Sequence, residues 1–536
     1  MSGTMFDSVN KIWSNSANPE KDKIPLGSFL GTVILQKLEE SNGDRIAEYN
    51  HDTGDLITIR KLHEGTITAA RNMQNLGIGK DDIIAIYARH NSYITKIAFA
   101  CYILGIPWCP LDYVQDDLEY LLNYIRPTIL IYDDEFAEKV ESTVKKMDLD
   151  LKFELTFGKN STAVALLFSN PTMSDFTPPD LSNENPDELI ACLSFTSGST
   201  GQPKSVILSH SMFINMVNSI PCNEDLVLNF FAPSGPRWMS QLYTMLIPLF
   251  TTHKRTYTRK KPDPATICTV ISKWHVNVFI GADTMLHLVL DHYNKNPFSY
   301  DLTCLRFAKC TGEAPNRVLQ KRLKALIPTL TFIREYGLTE CAGVVASNSQ
   351  EEFLNGGDLY RGVSVKIVDE NSGESLEAGD VGMIYLKTRI PFPGYFRNKE
   401  WNETYYTSDG WFRTRDIGYV NDCHQLVVYC RNDFIPKVKG KMVIPNLIEE
   451  YINSHPSVDI GFLVGLPVGA GEKMMGIFVQ LKKGFDKEAS KVELEEYLKK
   501  EVDWGLVRGL YIVNEFKRNS AGKVDKDVLK RDFNIL

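Results

Sequence analysis

Residues 189–208 read LIACLSFTSGSTGQPKSVIL, two apolar runs separated by the polar loop SFTSGSTGQPKS at 194–205. Ahead of Gln202, Pro203 and Lys204, seven loop residues are Ser, Thr or Gly, so backbone N–H groups, hydroxyl donors and one cation are gathered in a short segment. Such a segment suits a polyphosphate. It is not a Walker A loop, because five residues after Gly198 stands Pro203, where that motif needs its second glycine. A flexible Ser/Gly loop without a ligand is the plain alternative. The flanks matter more for the fold: short apolar runs bounded by turn residues read as buried strands.

The same pattern recurs on both sides. Residues 83–88 (IIAIYA) precede a helix-like stretch through Leu104, 128–132 (TILIY) precede an acidic helix start, and 276–280 (VNVFI) precede ADTMLHLVLDH. Residues 305–310 and 331–334 are further strand candidates, each leading directly into a loop rich in Gly, Ser, Thr or Glu. Continuous apolar strands alternating with helices predict mostly parallel sheets covered on both faces, with ligands bound where loops leave the carboxyl ends of strands. Beyond about Asp433 the texture changes to a helix led by Pro445, a strand pair VDIGFLVGL and MMGIFVQLKK, and a charged helix over 490–502 with Leu494, Leu498 and Val502 on one face. The expected fold class is α/β, with stacked α/β subdomains over 1–433, a small α+β domain over 434–536, and a hinge near Asp433.

Composition excludes several classes. At roughly 150 residues per domain, 536 residues leave room for several domains and an enzyme-sized core. The 59 basic and 67 acidic residues give a net charge of −8, so no basic excess is present to neutralise a nucleic-acid backbone or an anionic membrane. No nucleic-acid partner is expected. Ten cysteines without a C-x-x-C pair fit a reducing compartment. The longest apolar run, 97–111, is broken by Gly105, Pro107 and Pro110 and falls short of the about 20 residues that span a bilayer, so no transmembrane segment is expected. With no H-x-x-x-H pair, His287 and His292 read as structural or surface residues rather than metal ligands.

The segment TSGSTGQPK at 196–204 resembles the phosphate loop of the adenylate-forming (AMP-binding) superfamily, which includes acyl-CoA synthetases, 4-coumarate-CoA ligases and firefly-type luciferases. Further matches follow in the family's order. Residues 311–315 (TGEAP) resemble its adenine and acyl-site turn, 336–340 (YGLTE) its YGxTE motif, and 410–419 (GWFRTRDIGY) its TGD segment. Arg431 fits the arginine that follows, KVKG at 437–440 fits the KxKG after the hinge, and NSAGKV at 519–524 is similar to the segment with the catalytic lysine. The resemblance implies a phosphate site at Thr196, Ser197, Gly198, Ser199, Thr200, Gly201 and Lys204. It implies further nucleotide contacts at Gly312, Glu313, Ala314, Tyr336, Gly337, Thr339, Asp416, Arg431, Lys437, Lys439 and Gly440. Lys523 is the implied mobile cation between substrate carboxylate and α-phosphate.

These residue types suit the chemistry on their own account. Joining a carboxylate to AMP brings two anions together, which requires cations and a metal at the α-phosphate. Glu340 is an oxygen ligand suited to Mg²⁺, Thr339 a hydroxyl donor, and Lys204 a counter-charge for departing pyrophosphate. Asp416 can accept from ribose hydroxyls, Arg431 can complement it, and Tyr336 offers a flat face to adenine. Plainer roles exist for each. Glu340 could be a helix N-terminal carboxylate, Asp416 a turn residue, and Lys437, Lys439 and Lys523 solvated charges.

Departures from the family pattern are Ser205 for a glycine after the loop lysine, Arg415 for the glycine of TGD, Met442 for a glutamine, Pro436 ahead of KVKG, and Lys517 for a common proline. The acyl-pocket segment APSGPRWMSQLYTML (232–246) has Gly235 near the place of the family's histidine, and sets Arg237 beside Trp238. With Gly312, these three are the expected substrate-pocket residues. Arg237 points either into the pocket or toward solvent or a protein carboxylate. The expected activity is ATP- and Mg²⁺-dependent formation of an acyl-adenylate from a fatty or arylalkenoic acid, followed by thioester formation with coenzyme A. A small domain carrying both Lys523 and KVKG would reorient between the half-reactions. The rivals are a luciferase-like adenylating oxygenase, against which the missing histidine argues, and a nucleotide- or acyl-binding pseudoenzyme, suggested by Arg415, Ser205 and Met442. The final tripeptide, Asn534-Ile535-Leu536, differs from the S-K-L peroxisomal address, so an intracellular, cytoplasmic location is favoured and a peroxisomal one rests on the family alone.

Overall fold

The structure is a computed structural model and describes residues 4–16, 22–41, 43–111, 113, 117–170, 176–196, 203–220, 226–261, 263–312, 317–349, 356–431, 437–438, 441–442, 445–469, 472–517, 524, 528–529 and 531. Two large sheets dominate. Six strands run in the order Ser205–Ser209, Ile190–Phe195, Trp108–Pro110, Ile84–Tyr87, Ile129–Asp133 and Phe153–Phe157, all parallel except for the first pair. The second sheet has fifteen strands. Its parallel part orders Ile46–Asn50, Lys254–Tyr257, Asn229–Phe231, Val278–Gly281, Phe307–Thr311 and Thr331–Leu338. From Gly343–Asn348 onward the ladders turn antiparallel, through Gly356–Leu359, Leu426–Arg431, Phe412–Val420, Gly382–Thr388 and Val363–Val368. The mostly parallel expectation therefore holds for the βα units and gives way to antiparallel pairing after residue 338, where a single short helix, Lys399–Tyr405, stands among the strands.

Layering follows from side-chain alternation. Phe230, Val278 and Ile280 face one core, while Phe231 and Phe279 face another. Helices Leu30–Glu40, Ile59–Asn75 and Ile94–Leu104 fill the space between the sheets, sharing one core with Ile84 and Ile129 on one side and Ala47 and Val278 on the other. Ile94–Leu104 has ten of its eleven residues buried, as a helix covered on all sides must be. Helices Pro264–Trp274, Asp283–Lys295 and Arg317–Leu326 cover the outer face of the larger sheet, and Leu118–Ile125 and Ala137–Val144 that of the smaller. Asp263 fixes the start of one of them by accepting from the Thr266 amide, with Pro264 in the first helical position.

The C-terminal unit has its own core. Strands Val458–Gly469 and Glu472–Leu481 form the expected strand pair, in antiparallel register, and Val507–Val513, not foreseen, adds in parallel. Ile452, Val458, Ile477, Leu494, Leu498 and Val502 pack beneath them. The charged helix spans Lys487–Leu498, starting three residues before the expected point because Asp486 caps it through the Ala489 amide. His287 reaches this unit: its Nε2 lies 3.4 Å from Asp459 and 3.4 Å from Asp291, while Arg322 stands 3.4 Å from its Nδ1. These contacts tie the helix that carries His287 to the C-terminal unit. The expected hinge at Asp433 lies outside the described residues. Among the described residues no helix is long and apolar enough to cross a membrane.

Candidate active site

Strand Ile190–Phe195 and strand Ser205–Ser209 are the two arms of a hairpin, and the amide of Thr196 donates to the carbonyl of Lys204 at 2.8 Å, closing the base of the loop. The Tyr120 hydroxyl donates to the Pro203 carbonyl at 2.8 Å and anchors the loop's far side. Ser205 is fully buried, so this departure from the family pattern faces the hairpin interior. Residues 394–396 run along the same edge: Ile207 N donates to Gly394 O at 3.0 Å and Phe396 N to Ser205 O at 2.8 Å. This pairing brings Tyr395 beside the loop lysine.

The strand expected to end at Arg334 continues through Leu338, so Tyr336 and Gly337 sit in the sheet and only Thr339, Glu340 and Cys341 form the following turn. Gly337 is required there, since a Cβ would stand 2.4 Å from the Gly343 carbonyl oxygen of the neighbouring strand. Gly312 follows its strand at φ +80, which glycine adopts without strain. Glu340 is 8 % exposed, and one of its carboxylate oxygens accepts from the Tyr395 hydroxyl at 2.7 Å. Burial and the Glu340 carboxylate raise the Tyr395 hydroxyl above its ordinary range, so it stays a donor. Glu340 is therefore a buried, hydrogen-bonded carboxylate in a single 3-10 turn, Thr339–Cys341. It borders a cavity of about 440 Å³ that Lys387, Phe392, Tyr406 and Phe412 help to line. Burial raises the neighbouring Cys341 thiol well above its usual range, which favours the neutral form.

Asp416, 5 % exposed, accepts from the Tyr336 hydroxyl at 2.5 Å and pairs with Arg431 Nε at 3.1 Å. Burial opposes the charge on Arg431, but Asp416 and Glu340 outweigh it and hold the guanidinium more firmly protonated than usual. Burial, then Asp416, raise the Tyr336 hydroxyl. Tyr336 thus contributes a hydroxyl that orients Asp416, beyond the flat face expected of it, and Asp416 is a paired strand residue rather than a turn residue.

Lys204 joins this group through aromatic rings. Its ammonium lies over the Trp401 indole, 5.8 Å from the Tyr405 centroid and 6.0 Å from that of Tyr395. Arg415 stands over the same indole at 5.1 Å and over Tyr405 at 5.6 Å. Helix Lys399–Tyr405, started by the Asn398 side chain on the Trp401 amide, carries two of these rings. Sequence reading missed this wall, although the aromatic density of FPGYFRNKEWNETYYTSDGWF (392–412) signals it.

The acyl-side segment lies against the same hairpin, with the Ser194 hydroxyl donating to the Arg237 carbonyl at 3.4 Å. Arg237 is 4 % exposed, its guanidinium 4.7 Å from the Trp238 ring and near enough to Cys109 to act on that thiol, which excludes the solvent-pointing alternative. Gly235 accepts from the Trp238 amide at 3.2 Å and lies beside Tyr113. A histidine does serve this segment, from elsewhere in the chain: His90 Nε2 meets the Ser234 carbonyl at 2.9 Å. Burial, helped by Arg255, depresses His90 to about 4, so it is neutral near pH 7 and its ring N–H holds the loop. Gln241 adds bonds to the carbonyls of Ala232 at 2.6 Å and Ser234 at 3.1 Å.

The structure therefore brings Thr196, Lys204, Tyr336, Gly337, Thr339, Glu340, Asp416 and Arg431 to one wall, and Gly235, Arg237 and Trp238 to another. Ser197, Gly198, Ser199, Thr200, Gly201, Glu313, Ala314, Lys439, Gly440 and Lys523 lie outside the described residues, as does the side chain of Lys437.

The hairpin that carries Lys204 thus stands beside a buried carboxylate, an Asp–Arg pair and an aromatic wall in an α/β fold. The chain belongs to the AMP-binding enzyme family, whose model matches residues 35–396. It is 24% identical over 518 residues to 4-coumarate–CoA ligase CCL1 of Humulus lupulus, spanning 91% of each chain. It is 23% identical over 525 residues to luciferin 4-monooxygenase of Photuris pensylvanica, covering 91% of this chain and 92% of that one. Its fold matches that of the anthranilate CoA ligase AuaEII in complex with anthranoyl-AMP with a TM-score of 0.82 and 20% identity, over 95% of this chain and 98% of the other.

Proposed function

We propose that the protein is an AMP-forming acid–thiol ligase that activates a fatty or arylalkenoic acid with ATP and passes the acyl group to coenzyme A. The observation that supports this reading is the gathering of Lys204, Glu340, Asp416 and Arg431 about Tyr395 and Tyr336. Lys204 and the loop amides would hold the β- and γ-phosphates, and Asp416, oriented by Tyr336 and Arg431, would accept from the ribose. Glu340 offers the hard oxygen that Mg²⁺ prefers, and the ion, when bound, would supply charge against the phosphates.

A carboxylate oxygen of the substrate attacks the α-phosphorus, and pyrophosphate leaves with the bonding electrons. The thiol of coenzyme A then attacks the acyl carbon and loses its proton, and AMP departs. Lys523, assigned by resemblance, would hold the two anions together in the first step, and the small domain would turn about the segment near Asp433 before the second.

The test is pyrophosphate release across a panel of carboxylic acids, with and without coenzyme A, with thioester detected by mass spectrometry. Acid-dependent pyrophosphate release and an acyl-CoA product are expected. Release with no thioester would redirect the reading to another acceptor, and no release with any acid would defeat it.

A further inference from the structure

Tyr395 reaches Glu340 from 55 residues along the chain. Its hydroxyl donates to Glu340 Oε1 at 2.7 Å, and the two side chains are 2 % and 8 % exposed. Among the described residues this is the one hydrogen bond made to the Glu340 carboxylate. A buried carboxylate with a single donor takes its orientation from that donor, since turning away would leave both groups unsatisfied. One oxygen is engaged, and the other is left for a ligand.

The phenol is itself held from several directions. Asn402 fixes its backbone, accepting from the Tyr395 amide at 2.7 Å and donating to its carbonyl at 3.1 Å. The ring packs on Tyr405 at 5.0 Å and on Phe392 at 5.3 Å between centroids. On either side of Tyr395, Gly394 accepts from the Ile207 amide and Phe396 donates to the Ser205 carbonyl, so the residue rides on the strand that follows Lys204. A phenylalanine would satisfy the same ring contacts. The hydroxyl, costly to bury without a partner, finds its use at the carboxylate.

Resting on the adenylation reading above, we propose that Tyr395 is a positioning residue for Glu340: its hydroxyl holds one carboxylate oxygen so that the other meets a divalent cation carried by a nucleoside triphosphate. Through the same residue the hairpin of Lys204 and the cation-binding carboxylate keep a fixed separation. A partner that orients a metal-binding carboxylate commonly changes metal affinity or activity tenfold to a hundredfold when it is removed.

The test is titration calorimetry of the full chain with ATP·Mg²⁺, with ATP in EDTA and with AMP, in wild type, Tyr395→Phe, Glu340→Gln and the double variant, each checked for folding by a melting curve. Tyr395→Phe should weaken ATP·Mg²⁺ about tenfold and shift the Mg²⁺ dependence of pyrophosphate release to higher concentration, while ATP in EDTA and AMP change less than twofold. The double variant should bind ATP·Mg²⁺ no more weakly than Glu340→Gln alone, because the hydroxyl acts through the carboxylate. That comparison also stands in for Tyr395→Phe if the single variant, with its buried carboxylate left unpaired, does not fold. ATP·Mg²⁺ binding by Tyr395→Phe equal to wild type, an equal loss with and without Mg²⁺, or additive losses in the double variant would each overturn the proposal. Glu340→Gln that binds ATP·Mg²⁺ as wild type does would instead defeat the metal reading of Glu340, and the role of Tyr395 with it.

Discussion

On the wall beside Lys204, Tyr336, Asp416 and Arg431 are strand residues and Glu340 lies in the turn after a strand, and the bonds of Tyr336 to Asp416, Tyr395 to Glu340 and Arg431 to Asp416 measure 2.5 to 3.1 Å. On the acyl side, Ser234, Gly235 and Arg237 lie in a loop held by neutral groups, the His90 ring and the Gln241 amide, at 2.6 to 3.1 Å. The first wall is knit by bonds to carboxylates, Tyr336 to Asp416, Tyr395 to Glu340 and Arg431 to Asp416. The second is a loop that carries one buried arginine, Arg237. The difference teaches where specificity is expected: nucleotide chemistry should be lost together when one member of the first wall is removed, while changes in the second should sort acids without stopping the chemistry.

The sharpest way to break that division is Glu340→Gln, which keeps shape and removes charge. It should lower acid-dependent pyrophosphate release by about a hundredfold to a thousandfold with every acid, and excess Mg²⁺ should restore part of it. An effect confined to some acids, in a magnesium titration of pyrophosphate release, would merge the two walls. Lys523→Ala should bring a similar loss, about a hundredfold to a thousandfold, in adenylate formation but spare thioester transfer from pre-made acyl-AMP. Equal damage to both half-reactions, read in separate single-turnover assays, would remove the lysine from the first step.

Acid should separate the walls by stability. Burial holds His90 near 4 in the folded protein, below the 6.5 of a free histidine. Unfolded chains therefore take up the proton first, and the stabilisation is complete above pH 6.5 and lost as pH falls toward 4, by about 1.4 kcal/mol for each unit of depression. Buried His210, lowered to about 3, adds to the same trend with the same sign. Melting temperatures between pH 7 and 4 should fall, with acid affinity weakening before nucleotide affinity. His210→Phe, in contact with the rings of Phe29 and Tyr102, should flatten part of that slope. A slope unchanged by the substitution would clear His210 of any part in it.

The smallest expected effect, about tenfold, belongs to Arg237→Leu. Relative kcat/KM for a monocarboxylic acid and its ω-carboxylated analogue should shift toward the monocarboxylic acid, with ATP affinity unchanged. An identical ratio in both proteins would make Arg237 part of the scaffold alone.

The two walls also differed in how much the sequence disclosed. Glu340, Asp416 and Lys204 are legible because each stands in a short motif whose spacing is local, within or next to a strand. The alternating apolar runs foretold the layered α/β body for the same reason. His90 is 144 residues from the carbonyl it holds, and Trp401 is 197 from Lys204, so no local pattern links them. The parallel strand Val507–Val513 was hidden likewise, because its sequence neighbours are charged and its partner lies across a crossover. Arg415 was visible only as an odd residue; its left-handed backbone and bulge appear only once the strands are paired.

The account turns on an adenylate being formed at the first wall from an acid held at the second. The most direct measurement is mass spectrometry of the protein incubated with ATP, Mg²⁺ and a preferred acid without coenzyme A, followed by addition of coenzyme A. One acyl-AMP per chain should accumulate and then be replaced by acyl-CoA and AMP. Absence of acyl-AMP while ATP is consumed, or adenylate that persists after coenzyme A is added, would contradict it.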